Sequence, residues 1–144
     1  DAVGRHLGAP DTNAIATERF MLDQMATVPI KADVLIAPHH GADNGSSTVF
    51  IKAVQPQKVI FSAGHKHRHP RNVTALRYLN GHGLTLGDLF RTDRGDNEGN
   101  DEWGPLGTSS DKSGDDDIDI LITKTGTLQV AYRADWPRPP SHFS

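Results

Sequence analysis

The sequence predicts a single α/β domain whose functional residues gather at one edge of a sheet, and three observations support this. Short runs rich in β-branched residues alternate along the chain with stretches of helical periodicity. Two of those runs end directly in histidine-bearing loops, and α/β proteins place their sites at strand ends of this kind. The chain has 144 residues, which is enough for one domain with a buried core.

Composition excludes several classes of protein. Cysteine is absent, so disulfides, thiolate zinc sites and cysteine nucleophiles are excluded. No apolar run approaches the roughly 20 residues of a membrane span, so we expect no span in this chain. The serines lack the context of a nucleophile elbow, and no acidic run has the spacing of an EF-hand loop.

The first element predicted is a helix over 14–26, which Pro29 ends. Its candidate caps are Asp11, Thr12 and Asn13, and its expected apolar face consists of Met21, Leu22 and Met25. A buried strand is expected over 32–37, because this run is short, β-branched and bounded by a lysine and a proline. The strand ends in the sequence His39-His40-Gly41.

A second helix and strand follow. Ser46, Ser47 or Thr48 is expected to cap a short helix that Pro56 stops, and residues 58–62 form the next strand. The apolar stripe expected on that helix consists of Val49, Phe50, Ala53 and Val54. The strand leads into a loop with three alternating histidines.

A third helix is expected to start near Pro70 and to end at Gly81 and Gly83. Its predicted core residues are Val73, Leu76 and Leu79. A shorter strand over 88–92 follows, and alternating apolar residues later predict a hairpin of Ile118, Ile120 and Ile122 with Leu128, Val130 and Tyr132.

Charge is segregated along the chain. The formal charge is −3, but ten acids and two bases between 93 and 119 carry −8, which leaves +5 for the remainder. The stretch at about 93–116 is rich in Gly and Ser and lacks periodicity, so a mobile acidic surface insertion is expected there. The mildly basic remainder suits an anionic substrate.

Histidine is also segregated, since five of the eight fall within 39–69. Neutral imidazole is the commonest metal ligand among side chains, and a catalytic zinc needs about three protein ligands. Adjacent side chains on an extended strand point to opposite faces, so one of His39 and His40 is expected to be a metal ligand. The alternative is a solvated histidine pair.

The triplet His65, His67 and His69 has three possible roles: metal binding, phosphate binding, or an exposed basic loop. Lys66 and Arg68 oppose a cation electrostatically, so we favour His69 alone, next to Pro70, as the functional member.

Four motifs together resemble the C-terminal half of a metallo-β-lactamase-fold hydrolase, most of all the hydrolase domain of ComEC-type DNA-uptake proteins and their stand-alone relatives. These motifs are residues 32–41 with Ser46-Ser47, residues 59–64, His69-Pro70, and residues 90–93. The resemblance covers roughly residues 1–93 and the closing hairpin. It implies an α/β fold that forms half of a four-layer αββα sandwich over 1–135, with a Pro-rich tail at 136–144.

The resemblance also implies a site with two divalent metal ions, zinc or alternatively manganese. Asp1 matches the aspartate that bridges the ions. His39 or His40 matches the last metal-binding histidine, and we favour His39 because it lies nearer the strand end. His69 matches a histidine near the substrate, where it would act catalytically.

Other positions complete this expectation or depart from it. Ser62 matches a Ser-x-Gly strand end and is expected, with His65 and His67, to bind substrate. Ala42 replaces the usual serine after His-His-Gly, and His65 and His67 occupy a stretch that is commonly Asn-rich. The defining His-x-His-x-Asp-His signature of the family is absent from these 144 residues.

The expected function is therefore part of a metal-dependent hydrolase, a phosphodiesterase or nuclease that uses a metal-activated hydroxide. The chain begins at Asp1 rather than Met, and its expected partner is an N-terminal half of the same fold. Alone it is expected to be inactive or nearly so, because two ligands cannot hold a two-metal site. The alternatives are a non-catalytic module that binds nucleic acid or another anion, and a stable proteolytic remnant.

Overall fold

A computed structural model describes residues 3–8, 13–63, 69–93 and 116–136, and it shows a mixed α/β protein. Within these residues there are three α-helices: α1 (Ala16–Gln24), α2 (Thr48–Val54) and α3 (Asn72–His82). A three-stranded sheet contains β1 (Val34–Ile36), β2 (Lys58–Phe61) and β3 (Leu89–Arg91). A separate hairpin contains β4 (Ile118–Ile122) and β5 (Leu128–Tyr132). The α/β class predicted from the sequence is confirmed.

The three-stranded sheet is parallel, with its strands in chain order. Its central register aligns Leu35 with Val59 and Val59 with Leu89. Helices α2 and α3 connect the strands, as parallel pairing requires. The carboxyl ends of all three strands therefore lie at one edge of the sheet, where the loops after β1 and β2 begin.

The hydrophobic core lies between α2, α3 and one face of the sheet. Its largest side chains are Phe61 and Tyr78, whose rings meet edge to face with centroids 5.8 Å apart. The remaining core residues are Ala37, Ile51, Val59, Ala75 and Leu89. These side chains hold the two helices on the sheet by burial of apolar surface.

The opposite face of the sheet carries a row of three apolar residues, because side chains alternate along each strand. The register aligns Ile36 with Ile60 and Ile60 with Phe90. Phe90 is 7% exposed and lies against Tyr132 of the hairpin, with ring centroids 5.4 Å apart. Ile36 is 64% exposed. The second face is thus covered at β3 and open at β1.

Helix α1 differs from its prediction at both its start and its buried face. Its N-cap is Ile15, with no side-chain cap, so Asn13 does not cap it. Asp11 and Thr12 lie outside the described residues. The one buried residue of α1 is Glu18, whereas Met25 is 48% exposed. The helix turns an acidic residue inward because that carboxylate has polar partners there, as the site shows below.

Helix α2 agrees with its predicted cap, since the Ser47 hydroxyl accepts a hydrogen bond from the Phe50 N–H at 3.3 Å. Helix α3 starts two residues after Pro70 and ends at Gly83, which is left-handed with φ 71°. Gly81 lies inside it. Its buried face is Thr74, Ala75, Arg77 and Tyr78. The predicted core residue Val73 is instead 43% exposed.

The hairpin forms over the predicted residues and Ile118 is half-buried as expected, but the other two isoleucines of the predicted face are exposed. Ile120 and Ile122 are 46% and 68% exposed. Tyr132 attaches the hairpin to the sheet, since its hydroxyl accepts the Arg91 N–H at 3.1 Å. Residues 94–115 of the acidic insertion predicted at about 93–116, and residues 137–144 of the Pro-rich tail predicted at 136–144, lie outside the described residues. No helix in the described part of the chain is long and apolar enough to span a membrane.

A capping box with an ion pair stabilises the turn before β3. Asp88 accepts hydrogen bonds from Lys58 Nζ and from the N–H and hydroxyl of Thr85. Burial raises the pKa of Asp88, but these hydrogen bonds outweigh it and hold the pKa below its ordinary 3.8. The stabilisation is therefore present above pH 3.8 and is lost as the pH falls through the folded-state pKa.

We expect Asp88→Asn to lower the free energy of unfolding by about 0.5–1 kcal/mol at neutral pH, because the ion pair is partly solvated. Urea denaturation of both proteins in a pH series would measure this. The difference should shrink as the pH falls below 3.8, where wild-type Asp88 becomes protonated. A difference that stays constant down to the acid limit would contradict this account.

Candidate functional site

A left-handed turn carries the histidine pair at the carboxyl end of β1. Residues Pro38–Gly41 form a 3₁₀ turn in which His39, His40 and Gly41 have φ values of 50°, 56° and 82°. Left-handed backbone is unfavourable for residues with a Cβ, so surrounding contacts must hold this turn. The expectation of an extended pair with diverging side chains is wrong. The two imidazole centroids lie only 6.5 Å apart.

Gly41 allows the turn to pack closely against the loop between β2 and α3. A Cβ at this position would lie 2.6 Å from both the Phe61 ring and the Pro70 Cβ, so only glycine fits. The Arg71 N–H also donates to the Gly41 carbonyl at 2.9 Å. These contacts bring His69, which precedes Pro70 through a cis peptide bond, to a ring-centroid distance of 6.1 Å from His39. The two histidine-bearing loops therefore meet at the sheet edge.

His39 is held in one tautomer by a local contact. Its Nδ1 lies 2.6 Å from the Asn44 side-chain oxygen. An amide oxygen can only accept, so this contact requires a proton on Nδ1, and in the neutral imidazole the lone pair then lies on Nε2. The half-buried ring of His39 thus has a fixed orientation and a defined basic nitrogen.

His40 has the same arrangement with a different acceptor. Its Nδ1 donates to the Ser62 carbonyl at 2.7 Å, so its Nε2 also carries the lone pair. Ser62 makes this contact through its main chain and not through its hydroxyl. Thr92 secures the strand end, because its hydroxyl donates to the Ala63 carbonyl at 2.8 Å and accepts the Ala63 N–H at 2.9 Å.

Glu18 supports the loop between β1 and α2, which carries the histidine pair. Its side chain accepts hydrogen bonds from the N–H groups of Ser46 and Ser47, at 2.6 and 2.9 Å, and the residue is 1% exposed. It also touches the backbone of Gly4, where no Cβ would fit. Sequence reasoning missed this role. The only local signal was an acid on a helix with apolar residues three and four positions away, among them Ile15, Met21 and Leu22.

Two buried arginines fasten the same loop through Asp43. Arg5 donates to both the side chain and the carbonyl of Asp43 at 2.8 Å. Arg77 reaches the same carboxylate and donates to the Gly45 carbonyl at 3.0 Å. Both arginines are 5% exposed. Their partners are more than 30 positions away in the chain, so no sequence pattern predicts them.

Tyr78 completes this support as a neutral group. Burial raises the pKa of Tyr78 far above its ordinary 10, although the hydrogen bond with Ser46 opposes the shift. The hydroxyl oxygens of Ser46 and Tyr78 lie 2.8 Å apart. The phenol therefore stays protonated and acts as a structural hydrogen-bonding group.

A buried ion pair lies at the carboxyl end of β3. Arg91 Nε and Nη2 each donate to a different oxygen of Asp93 at 2.7 Å. The two residues are 4% and 0% exposed. This bidentate pair shares the sheet edge with the histidine loops and anchors the end of β3.

The two imidazoles fit metal ligation, but they form an incomplete ligand set. Histidines that bind metals usually donate the other ring N–H to a carbonyl or carboxylate, and His39 and His40 both have an oxygen acceptor at Nδ1. Across residues 3–8, 13–63, 69–93 and 116–136, no three or more histidine, aspartate or glutamate side chains are placed to hold a metal ion. Asp1, His65 and His67 lie outside the described residues.

Comparison with known proteins gives one partial likeness. A 66-residue stretch is 38% identical to ComE operon protein 3 of Bacillus subtilis (strain 168). This stretch covers 45% of the chain and 8% of that protein. No protein-family model matches the chain, and no solved structure matches it. The chain thus resembles a small part of a much longer protein.

Proposed function

We propose that this chain supplies part of the site of a metal-dependent hydrolase that acts on phosphodiesters. The observation that carries the proposal is the shared arrangement of His39 and His40. Each imidazole donates Nδ1–H to an oxygen acceptor and directs its basicity to Nε2, at a sheet edge where strand ends converge. The ring centroids lie 6.5 Å apart, so both imidazoles can act as ligands in the same metal site.

In this proposal His39 binds one metal ion, with His40 as the alternative or neighbouring ligand. Asp1 would bridge two ions, and His69 would position or protonate the scissile group from its place 6.1 Å from His39. Two divalent ions, zinc or manganese, would supply Lewis acidity and a nucleophile at neutral pH. Ser62, His65 and His67 would contact substrate.

Two observations support the wider assignment. The open part of the sheet face at Ile36 leaves room for a further layer, as half of a four-layer αββα sandwich would require. The likeness to ComE operon protein 3 agrees with the resemblance to ComEC-type DNA-uptake proteins. The likeness alone is the basis for proposing DNA uptake as the process in which the whole protein takes part, with a nucleic acid as the substrate.

Zinc titration by calorimetry tests the proposal on the full 144-residue chain. We expect weak zinc binding that His39→Gln lowers by about 10-fold or more, because loss of a ligand removes a coordinate bond. The matched control is His82→Gln, a half-buried histidine at the last residue of α3, away from the carboxyl ends of the strands. Equal zinc affinity in wild type and His39→Gln would contradict the role of His39.

Two further measurements separate the alternatives. Hydrolysis of bis(p-nitrophenyl) phosphate by the isolated chain should be negligible, and robust hydrolysis abolished by His39→Ala would overturn the expectation of an incomplete site. If the chain instead binds single-stranded DNA with steep salt dependence, and EDTA has no effect on that binding, a non-catalytic anion-binding module is favoured.

A further inference from the structure

We infer that Asn44 is the positioning residue of this site, which orients His39, fixes its tautomer and connects it to the N-terminal segment of the chain. The inference rests on the proposed function only in taking His39 as a ligand. Asn44 belongs to none of the motifs that pointed to the site. Its role comes from three sets of contacts.

The first contact set closes the loop between the histidine and the asparagine. The Ala42 N–H donates to the His39 carbonyl at 2.8 Å, and the Gly45 N–H donates to the Ala42 carbonyl at 3.1 Å. A Cβ on Gly45 would lie 2.9 Å from the Pro38 carbonyl oxygen, so the loop packs back on itself. Two successive turns therefore bring the Asn44 amide against the His39 ring.

The second contact is the hydrogen bond itself. His39 Nδ1 lies 2.6 Å from Asn44 Oδ1, so the amide oxygen is in hydrogen-bonding contact with the ring. The amide provides an acceptor without adding a charge, so it selects the tautomer and leaves the net charge of the site unchanged.

The third contact set holds Asn44 in turn. Its main-chain carbonyl accepts hydrogen bonds from the N–H groups of Gly4 and Arg5, at 2.8 and 3.0 Å. Arg5 also binds the adjacent Asp43 through its guanidinium group. The N-terminal segment thus docks on the residue that orients His39. A shift of residues 4–5 would therefore move the residue whose amide oxygen contacts the His39 ring.

Imidazole ¹⁵N NMR of the metal-free chain tests this inference without reference to catalysis. Spectra of ¹⁵N-histidine protein are recorded at about pH 8.5, where imidazoles are mostly neutral. His39→Gln identifies the resonances of His39 among those of the eight histidines. We expect wild-type His39 to show a protonated Nδ1 and an unprotonated Nε2. The opposite tautomer in the wild-type protein would overturn the inference directly, with no variant needed.

Variants then separate positioning from folding. In Asn44→Ala, His39 should show a mixture of the two neutral tautomers. Asn44→Asp keeps an acceptor oxygen and should restore the tautomer protonated at Nδ1. Asn80→Ala on the exposed surface of α3 is the matched control and should change nothing. Zinc affinity should fall by about 10–100-fold in Asn44→Ala, as expected for loss of a group that orients a ligand.

The outcomes distinguish this inference from the proposed function. If the tautomer changes in Asn44→Ala and returns in Asn44→Asp, but no variant binds zinc, Asn44 orients His39 and the metal role of His39 fails. If zinc binds and depends on His39, but the His39 tautomer is the same in wild type and Asn44→Ala, the positioning role is overturned while the proposed function stands.

Discussion

Replacement of Glu18 by alanine is expected to lower the free energy of unfolding by about 3–5 kcal/mol, because two buried N–H groups would lose their acceptor and a cavity would form. The N–H groups belong to Ser46 and Ser47, at the start of α2. Because Glu18 lies under the loop that carries Asn44, the same change should also loosen the histidine turn. Urea denaturation followed by circular dichroism would measure the stability change.

The matched control for Glu18 is Arg19→Ala on the same helix. Arg19 pairs with Asp23 at the surface, with 61% and 54% of the two side chains exposed, so its loss should cost well under about 1 kcal/mol. Glu18→Gln should lie between the two, since an amide offers one acceptor oxygen where the carboxylate offered two. Equal effects of Glu18→Ala and Arg19→Ala would show that the buried carboxylate does not support the loop.

The second large loss of stability is expected from removal of the Asp93 carboxylate. Asp93→Ala should lower the free energy of unfolding by about 3–5 kcal/mol, because the guanidinium of Arg91 would stay buried and lose its counter-charge. The pair is bidentate, and Asp93 is fully buried. Thermal and urea unfolding should both shift, with one cooperative transition retained.

An exposed ion pair provides the comparison for Asp93. Arg133 binds Asp119 on the hairpin surface through two hydrogen bonds, with a side-chain exposure of 64% for the arginine. Solvent screens this pair, so Asp119→Ala should leave stability nearly unchanged. If Asp93→Ala were as mild as Asp119→Ala, the pair at the end of β3 would not be the anchor described here.

The elements of the fold were predictable because their signals are local. The β-branched runs became β1 and β2, Ser47 caps α2, and the left-handed Gly83 ends α3. Each signal acts within a few residues and needs no knowledge of the rest of the chain. Which residues are buried was less predictable. The inward face of α1 is set by Glu18, whose carboxylate accepts hydrogen bonds from the N–H groups of Ser46 and Ser47.

The site was predictable in its histidines but not in its geometry. The sequence indicated His39, His40 and His69, and the described structure brings these three rings together. The left-handed turn depends on Gly41 packing against a distant ring, which no local propensity contains. Asn44 was missed because its contact with His39 depends on the left-handed turn, and because the segment that holds it lies about 40 positions earlier.

The chain-order arrangement of β1, β2 and β3 has a consequence for the route of folding. Each strand pairs with its neighbour along the chain after a single helix, so the sheet closes short loops at low entropic cost. The Arg91–Tyr132 contact spans 41 positions, and the docking of residues 4–5 on Asn44 closes a loop of similar length. The sheet is therefore expected to form before residues 4–5 dock on Asn44, whereas the turn that places Asn44 against His39 closes locally.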